Sequence, residues 1–174
     1  MNTATVSPAE MIRAEMIMSR PLVTIGNNDT MRHAAAVFLD KNISGAPVFN
    51  HLQKPIGVLT KTDIVRYERE HAAAEATGER DALRTLGTLE LIAKGAGFHR
   101  ESEEDYVSRW MTPKVFAAGK MASLADVLRE MSQRRIHRIF IQDEKTKKLI
   151  GVITTFDLMR FLGRLFLVGG TKLK

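Results

Sequence analysis

Two short motifs in this chain combine residue types at a spacing that could do chemistry. Thr60-Lys61-Thr62-Asp63 and Thr154-Thr155-Phe156-Asp157 each set a hydroxyl three residues before a carboxylate, where an apolar run gives way to a helical pattern. A strand that turns into a helix leaves free backbone N–H groups and the positive end of a dipole facing outward, a setting that attracts phosphate. The threonine hydroxyl can donate to a phosphate oxygen. The aspartate one turn on can accept both hydroxyls of a ribose diol, as an acidic residue does in dinucleotide folds. The same spacing is also a capping box, which stabilises a helix by about 1 kcal/mol with no ligand at all. Both readings remain open at this point.

Other residues add to these motifs. Arg134-Arg135-Ile136-His137-Arg138 is the densest basic cluster, at the end of a helical pattern and entering a strand. Positive side chains there offset a helix C-terminal dipole. In the strand, alternation sends His137 and Ile139 to one face and Arg138 and Phe140 to the other, and burial of the apolar neighbours leaves the basic pair at the strand's mouth. The corresponding stretch of the earlier motif is Ser44-Gly45-Ala46-Pro47, without the basic pair. Gly45 lets backbone approach a flat ring closely, and Ala46 and Pro47 add apolar contact. Lys61 contributes a charge beside Thr60 where Thr155 stands in the later motif, so the two sites are expected to differ in affinity.

The elements that position these residues are duplicated. Gly57-Val58-Leu59-Thr60-x-x-Asp63 returns as Gly151-Val152-Ile153-Thr154-x-x-Asp157, and Met18, Thr30, Ile43 and Val48 pair with Met111, Ser123, Ile136 and Ile141 at a nearly constant displacement. One extra residue between Asp143 and Gly151 accounts for the shift. Each copy reads as a short extended segment, a helix, two apolar runs joined by a polar turn, and a second helix. Thr30 and Ser123 open the first helices, Ser123-x-x-Asp126 in capping-box form. Their expected apolar faces are Met31, Ala34, Ala35, Phe38 and Leu39 in one copy, and Leu124, Val127, Leu128 and Met131 in the other. The hairpins are expected at Ala46–Phe49 with Ile56–Leu59 and at Ile139–Ile141 with Leu149–Ile153. The order is β-α-β-β-α twice, an α+β fold, and a single unit of this size could hardly cover both faces of its sheet. Two such units are expected to pack with pseudo-twofold symmetry.

The resulting division is an N-terminal arm over 1–16, repeat 1 over 17–70, a helical insert over 71–105, repeat 2 over 106–168 and a tail over 169–174. In the insert, Leu83, Leu86, Leu89 and Ile92 suggest an amphipathic helix, and the first repeat's last helix is expected to stop near Gly78. Ser102-Glu103-Glu104-Asp105 reads as the capped start of a helix leading to Trp110. The insert is expected to form a subunit interface or a cover.

The repeated element resembles a cystathionine-β-synthase (CBS) domain. The resemblance lies in Ile17-Met18-Ser19-Arg20-Pro21-Leu22-Val23-Thr24-Ile25, Ile43-Ser44-Gly45-Ala46-Pro47-Val48 and the Gly57 to Asp63 motif. In the second copy it lies in Trp110-Met111-Thr112-Pro113, Ile136-His137-Arg138-Ile139-Phe140-Ile141 and the Gly151 to Asp157 motif. Six motifs in order, duplicated, resemble a tandem CBS pair, or Bateman module. The resemblance implies a regulatory module and not an enzyme. It implies adenosyl effectors (AMP, ADP, ATP, NAD-like molecules or S-adenosylmethionine) in clefts between the paired repeats, no required cofactor, and association into homodimers that act on a regulated partner. It assigns aspartate to ribose, threonine to phosphate, and His137 and Arg138 to ligand phosphates. It places Val23, Thr24, Val115 and Phe116, read as first-strand residues, on the adenine side. The candidate set is therefore Val23, Thr24, Ser44, Gly45, Ala46, Pro47, Thr60, Lys61 and Asp63 for one site. For the other it is Val115, Phe116, His137, Arg138, Ile139, Thr154, Thr155 and Asp157.

Composition bounds the alternatives. The 174 residues carry 26 basic and 20 acidic side chains, a formal charge of +6, and no cysteine. Disulfides, thiolate metal sites and cysteine nucleophiles are excluded. No apolar stretch reaches the roughly 20 residues of a membrane span, and Glu10, Arg13 and Glu15 stand where a signal peptide needs an apolar core. A cytoplasmic location is the expectation. His71 with Glu75 reads as an exposed helical pair, His99 with Glu101, Glu103 and Glu104 as a solvated helix start, and His33 and His51 lack a nucleophile with a fixed partner. No metal site is expected. The basic excess keeps nucleic-acid binding as one alternative, and a ligand-free dimerisation platform is the other.

Overall fold

The computed structural model describes residues 8–74 and 105–167. The expected helix over 83–92 and the cap at Ser102 lie outside these residues, as does the predicted stop near Gly78. A four-residue helix α1 (Pro8–Met11) and a 3-10 turn (Ala14–Met16) precede the first repeat. That repeat runs β1 (Ile25–Gly26), α2 (Met31–Asp40), β2 (Gly45–Phe49), β3 (Pro55–Thr60) and α3 (Lys61–Ala74). A short helix α4 (Val107–Trp110) then leads to β4 (Ala117–Gly119), α5 (Leu124–Arg134), β5 (Arg138–Gln142), β6 (Leu149–Thr154) and α6 (Thr155–Leu167). The expected β-α-β-β-α order is present twice. Each copy makes a three-stranded sheet, in order β1-β2-β3 and β4-β5-β6, with a parallel first pair and an antiparallel hairpin.

Local chemistry accounts for the elements. Thr30 caps α2 by accepting from the His33 N–H at 3.2 Å. Ser123 caps α5 reciprocally: its oxygen accepts from the Asp126 N–H at 3.1 Å while its hydroxyl donates to the Asp126 carboxylate at 2.6 Å. Serine and arginine beside the Asp126 carboxylate hold it below its usual range. Met31, Ala34, Ala35 and Phe38 bury the inner face of α2; Leu124, Val127 and Met131 bury that of α5. Leu128, expected on the inner face, is 41% exposed, because it sits on the flank of a stripe centred on Val127. The helix leading to Trp110 starts at Val107 with Tyr106 as its cap residue and no side-chain cap bond. The hairpin turns are closed by Asn50, which accepts from the Leu52 and Lys54 N–H groups, and by Asp143, which accepts from those of Lys145 and Thr146. Lys120 reaches Asp143 at 2.6 Å and holds its carboxyl well below the usual carboxylate range.

The chain divides into two compact units, and they are not the two sequence repeats. One comprises Met1–Leu22 with Phe116–Lys174, the other Val23–Val115. The opening segment of each repeat, up to Leu22 in one and Val115 in the other, therefore belongs with the strands and helices of the other repeat. In the first unit, Ser19 pairs with Val152 of β6, its N–H donating at 2.8 Å. In the second, Thr112 and Val58 of β3 exchange two hydrogen bonds of 2.9 Å. Gly151 and Gly57 make room for these segments. A Cβ on Gly57 would lie 2.6 Å from the Met111 sulfur and 2.7 Å from the Thr112 carbonyl oxygen, and one on Gly151 would lie 2.5 Å from the Met18 sulfur. Each core is completed the same way. Ala14, Ile17 and Met18 join Leu124, Val127, Met131, Ile139, Ile141 and Ile153, while Val107, with Trp110 and Met111 against it, joins the core around Phe38, Val48, Leu59 and Tyr67.

Candidate functional site

Both predicted acids are buried at the starts of α3 and α6, Asp63 at 5% and Asp157 at 4% exposure. Each turns back on its own threonine. Asp63 Oδ2 accepts from the Thr60 N–H at 2.8 Å and the Thr60 hydroxyl at 2.6 Å, and Asp157 Oδ2 accepts from Thr154 at the same two distances. The threonine oxygens in turn cap the helices, accepting from the Asp63 N–H at 3.4 Å and the Asp157 N–H at 3.2 Å. The capping reading of these motifs thus holds, and each hydroxyl proton points at the motif's own carboxylate. Contact with a phosphate requires that hydroxyl to rotate.

The second carboxylate oxygens differ. Asp63 Oδ1 faces Arg66 Nη2 at 3.2 Å, and that nitrogen also donates to the Trp110 carbonyl at 2.7 Å. The guanidinium lies 5.8 Å from the centre of the Trp110 ring, and the Tyr67 ring meets the same indole edge-on at 5.1 Å. Burial, and then a hydrogen bond donated to Asp105, pushes the Tyr67 phenol well above its ordinary pKa. Asp157 Oδ1 instead accepts from the Ser19 hydroxyl at 2.6 Å and from Arg160 Nη2 at 3.0 Å. Arg160 also donates to the Ser19 oxygen at 3.3 Å. A cavity of about 640 Å³ opens beside this group, lined by Glu15, Met16, Met18, Ser19, Arg20 and Arg160.

Strand pairing assembles much of each predicted set. In the Val23–Val115 unit, Gly45 lies opposite Thr60, and the Lys61 N–H donates to the Ser44 carbonyl at 3.1 Å, so Ser44, Gly45, Thr60, Lys61 and Asp63 share one sheet end. In the other unit, Arg138 lies opposite Thr154, and the Thr155 N–H donates to the His137 carbonyl at 3.1 Å. His137 is exposed and Arg138 half-buried, both at that sheet end. Ala46 and Pro47 are buried in β2 and Ile139 in β5; Ala46 and Ile139 belong to the cores. Val23 and Thr24 precede β1, and Val115 and Phe116 precede β4, so they are not within the first strands as expected. The reason is that regular pairing with β2 begins at Ile25, and with β5 at Ala117. The Phe116 carbonyl still accepts from the Phe140 N–H at 2.9 Å, and the Arg134 guanidinium covers the Phe116 ring at 5.0 Å.

Ser19, Arg66, Trp110 and Arg160 are absent from the candidate sets that the sequence supplies. A signal for the arginines was present, since each motif continues Asp-x-x-Arg, one turn on and on the same helix face. Ser19 and Trp110 act on a motif of the opposite repeat, which no spacing reveals. His33 and His51 are exposed, and among the described residues no group of three or more His, Cys, Asp or Glu side chains gathers as a metal site would need. His99 and its acidic neighbours lie outside the described residues, as does the side chain of His71. Among the described residues no helix is long and apolar enough to cross a membrane.

Comparison with known proteins agrees with this architecture. A family model described as CBS domain matches residues 13–70 and 106–164. Uncharacterized protein MJ1225 of Methanocaldococcus jannaschii is 26% identical over 147 residues, covering 84% of this chain and 41% of that protein. Uncharacterized protein MJ1426 of the same organism is 29% identical over 162 residues, covering 88% of this chain and 92% of that one. The chain thus spans less than half of the first relative and nearly all of the second. The CBS domain pair of protein MJ0100, solved in complex with 5-methylthioadenosine and S-adenosyl-L-methionine, is similar with a TM-score of 0.61 at 20% identity, over 87% of this chain and 95% of that one. CBSX2 in complex with AMP gives 0.62 at 18% identity, over 88% and 98%. The CBS domain of a CBS domain containing membrane protein from Sphaerobacter thermophilus gives 0.62 at 23%, over 86% of each chain. With the family model matched at both copies and two three-stranded sheets built alike, this chain belongs to the CBS domain family and carries the domain as a tandem pair.

Proposed function

We propose that this chain is a non-catalytic regulatory module whose effector is an adenosine-containing small molecule. One observation carries the reading: a buried carboxylate at each strand-to-helix turn is anchored through one oxygen by its own threonine, while among the described residues the other oxygen is held only by side chains that can move away. A ribose diol is a pair of adjacent donors that such an oxygen can accept in exchange. The positive end of the helix dipole at each of these starts favours a phosphate beside it. His137 and Arg138, at the sheet end of the Asp157 motif, add positive charge there, and Ser44 and Gly45 leave the Asp63 motif without it, which supports unequal affinities. Solved relatives in complex with AMP and S-adenosyl-L-methionine support the same class of ligand.

Thermal unfolding and calorimetry with AMP, ADP, ATP, NAD and S-adenosylmethionine test this. A ligand at one hundred times its dissociation constant should add about 2.7 kcal/mol of stability. Asp63→Ala and Asp157→Ala should each remove the response of one site. Silence across the panel would leave a ligand-free dimerisation platform as the better reading. A specific observation favours that assembly role: Phe156, Met159, Leu162, Leu165 and Phe166 are all exposed along α6, at 69%, 68%, 47%, 57% and 79%. An apolar stripe of this kind marks an interaction surface, and a second copy of the chain is its proposed occupant. Met159→Glu should then shift sedimentation from dimer to monomer.

A further inference from the structure

The two acids differ in how fully their acceptor capacity is used. A carboxylate has about four lone-pair positions. At Asp63, donors fill both positions on Oδ2 and one on Oδ1, the last from Arg66 at 3.2 Å. At Asp157, Thr154 fills Oδ2, while Ser19 at 2.6 Å and Arg160 at 3.0 Å fill Oδ1. A diol needs two of these positions. Among the described residues one is open at Asp63, and Arg66 can yield the other, remaining held by the Trp110 carbonyl at 2.7 Å and lying over the Trp110 ring. At Asp157 none is open, so a diol must displace Ser19, which belongs to the opening segment of repeat 1.

We propose that Ser19 is a displaceable tether, and that a diol-bearing ligand engaging Asp157 unlatches the Ser19–Arg20 end of this segment from repeat 2. Occupancy at Asp157 is then signalled through the opening segment of repeat 1, and occupancy at Asp63 is not. This inference rests on the ligand class proposed above and assigns the regulation of one of its two sites. Three observations support the direction. Thr112, the counterpart of Ser19, makes no side-chain hydrogen bond among the described residues, so the tether exists at one acid only. The backbone bridge of Ser19 is loose on one side, with the Val152 N–H reaching the Ser19 carbonyl at 3.3 Å, against 2.9 Å for the matching Val58–Thr112 bond. The 640 Å³ cavity lined by Ser19 and Arg160 gives both side chains space to swing into. Ala14, Ile17 and Met18, buried in the core, keep the rest of the segment in place, so the motion is confined to its end.

The test is AMP titration of wild type, Ser19→Ala, Thr112→Ala and Asp63→Ala by calorimetry, with amide hydrogen exchange followed at Met16–Ser19. Without the competing hydroxyl, Ser19→Ala should bind AMP about fivefold tighter at one site, the worth of one ordinary hydrogen bond. Thr112→Ala should match wild type. Saturating AMP should raise exchange at the Ser19 amide by about threefold or more in wild type and in Asp63→Ala, and add little in Ser19→Ala, where the end is already loose. Ser19→Thr, which keeps the hydroxyl, should restore wild-type affinity. Weaker binding by Ser19→Ala, or AMP binding with unchanged or slower exchange, overturns the tether and leaves the ligand class standing. No binding of AMP or any other panel compound to any of the five proteins overturns both.

Discussion

The two units solve one problem with different residues. Both must hold a buried carboxylate at a strand-to-helix turn, and both recruit the opening segment of the opposite repeat. The Val23–Val115 unit uses bulk: Trp110 supplies a carbonyl for Arg66, a ring for its guanidinium and an edge contact for Tyr67. The other unit has Ile17 at the position matching Trp110, and holds its acid with the small hydroxyl of Ser19 beside an open cavity. A duplicated sequence has thus diverged at the borrowed segment more than at the motif itself. Rigid support around Asp63 and exchangeable support around Asp157 follow from that difference.

The comparison is most sharply broken by Trp110→Ala. It should cost about 3 kcal/mol, removing packing and a ring–cation contact together, and should loosen Arg66; urea unfolding measures it. Ile17→Ala, at the matching position, should cost less and leave Arg160 unaffected. Next come the two strand glycines. Gly57→Ala should cost about 2–3 kcal/mol, because the new Cβ would press on the Thr112 carbonyl at 2.7 Å, whereas Gly151→Ala should cost about 1 kcal/mol, because the nearest atom is the sulfur of the flexible Met18 side chain and the Ser19 carbonyl stands farther off at 3.1 Å. Equal losses would mean that both leading segments are held with the same rigidity.

Tyr67→Phe should cost about 2 kcal/mol by taking a donor from the buried Asp105 carboxylate. The phenol's folded pKa lies above its unfolded value near 10, so its contribution is fully present below pH 10 and fades as pH rises through the folded pKa. Alkaline unfolding should therefore distinguish wild type from Tyr67→Phe, with the difference narrowing at high pH. The smallest effect is a gain. Arg135 ends α5 in the left-handed region at φ 53, and Arg135→Gly should raise stability by about 0.5–1 kcal/mol, read as a higher midpoint in thermal melts. Lys41 ends α2 in right-handed geometry, and a glycine there should give no such gain.

Much of the fold was legible because duplication supplies its own control. Thr30 and Ser123 cap helices, Asn50 and Asp143 close turns, and the apolar runs pair as hairpins, all through contacts within a few residues that local pattern encodes. Thr60 and Thr154 bond to Asp63 and Asp157 for the same reason. Val23 and Phe116 are expected inside strands and lie just before them, since where pairing starts depends on the neighbouring strand and not on the residue's own preference. Leu128 shows a similar limit, as its helix stripe is centred by what packs against it.

The chain's periodicity, turn residues and paired Thr-x-x-Asp motifs were enough to define two β-α-β-β-α units with an acid at the start of each second helix. Capping and alternation act over one turn or one pleat, so composition in a short window determines them. What surrounds each acid was decided only by tertiary structure. Ser19 meets Asp157 across 138 positions, and Arg66 meets the Trp110 carbonyl across 44. Such contacts arise because each leading segment completes the opposite repeat's core, and burial of Ile17, Met18 and Val107 drives that exchange without leaving a mark in local spacing.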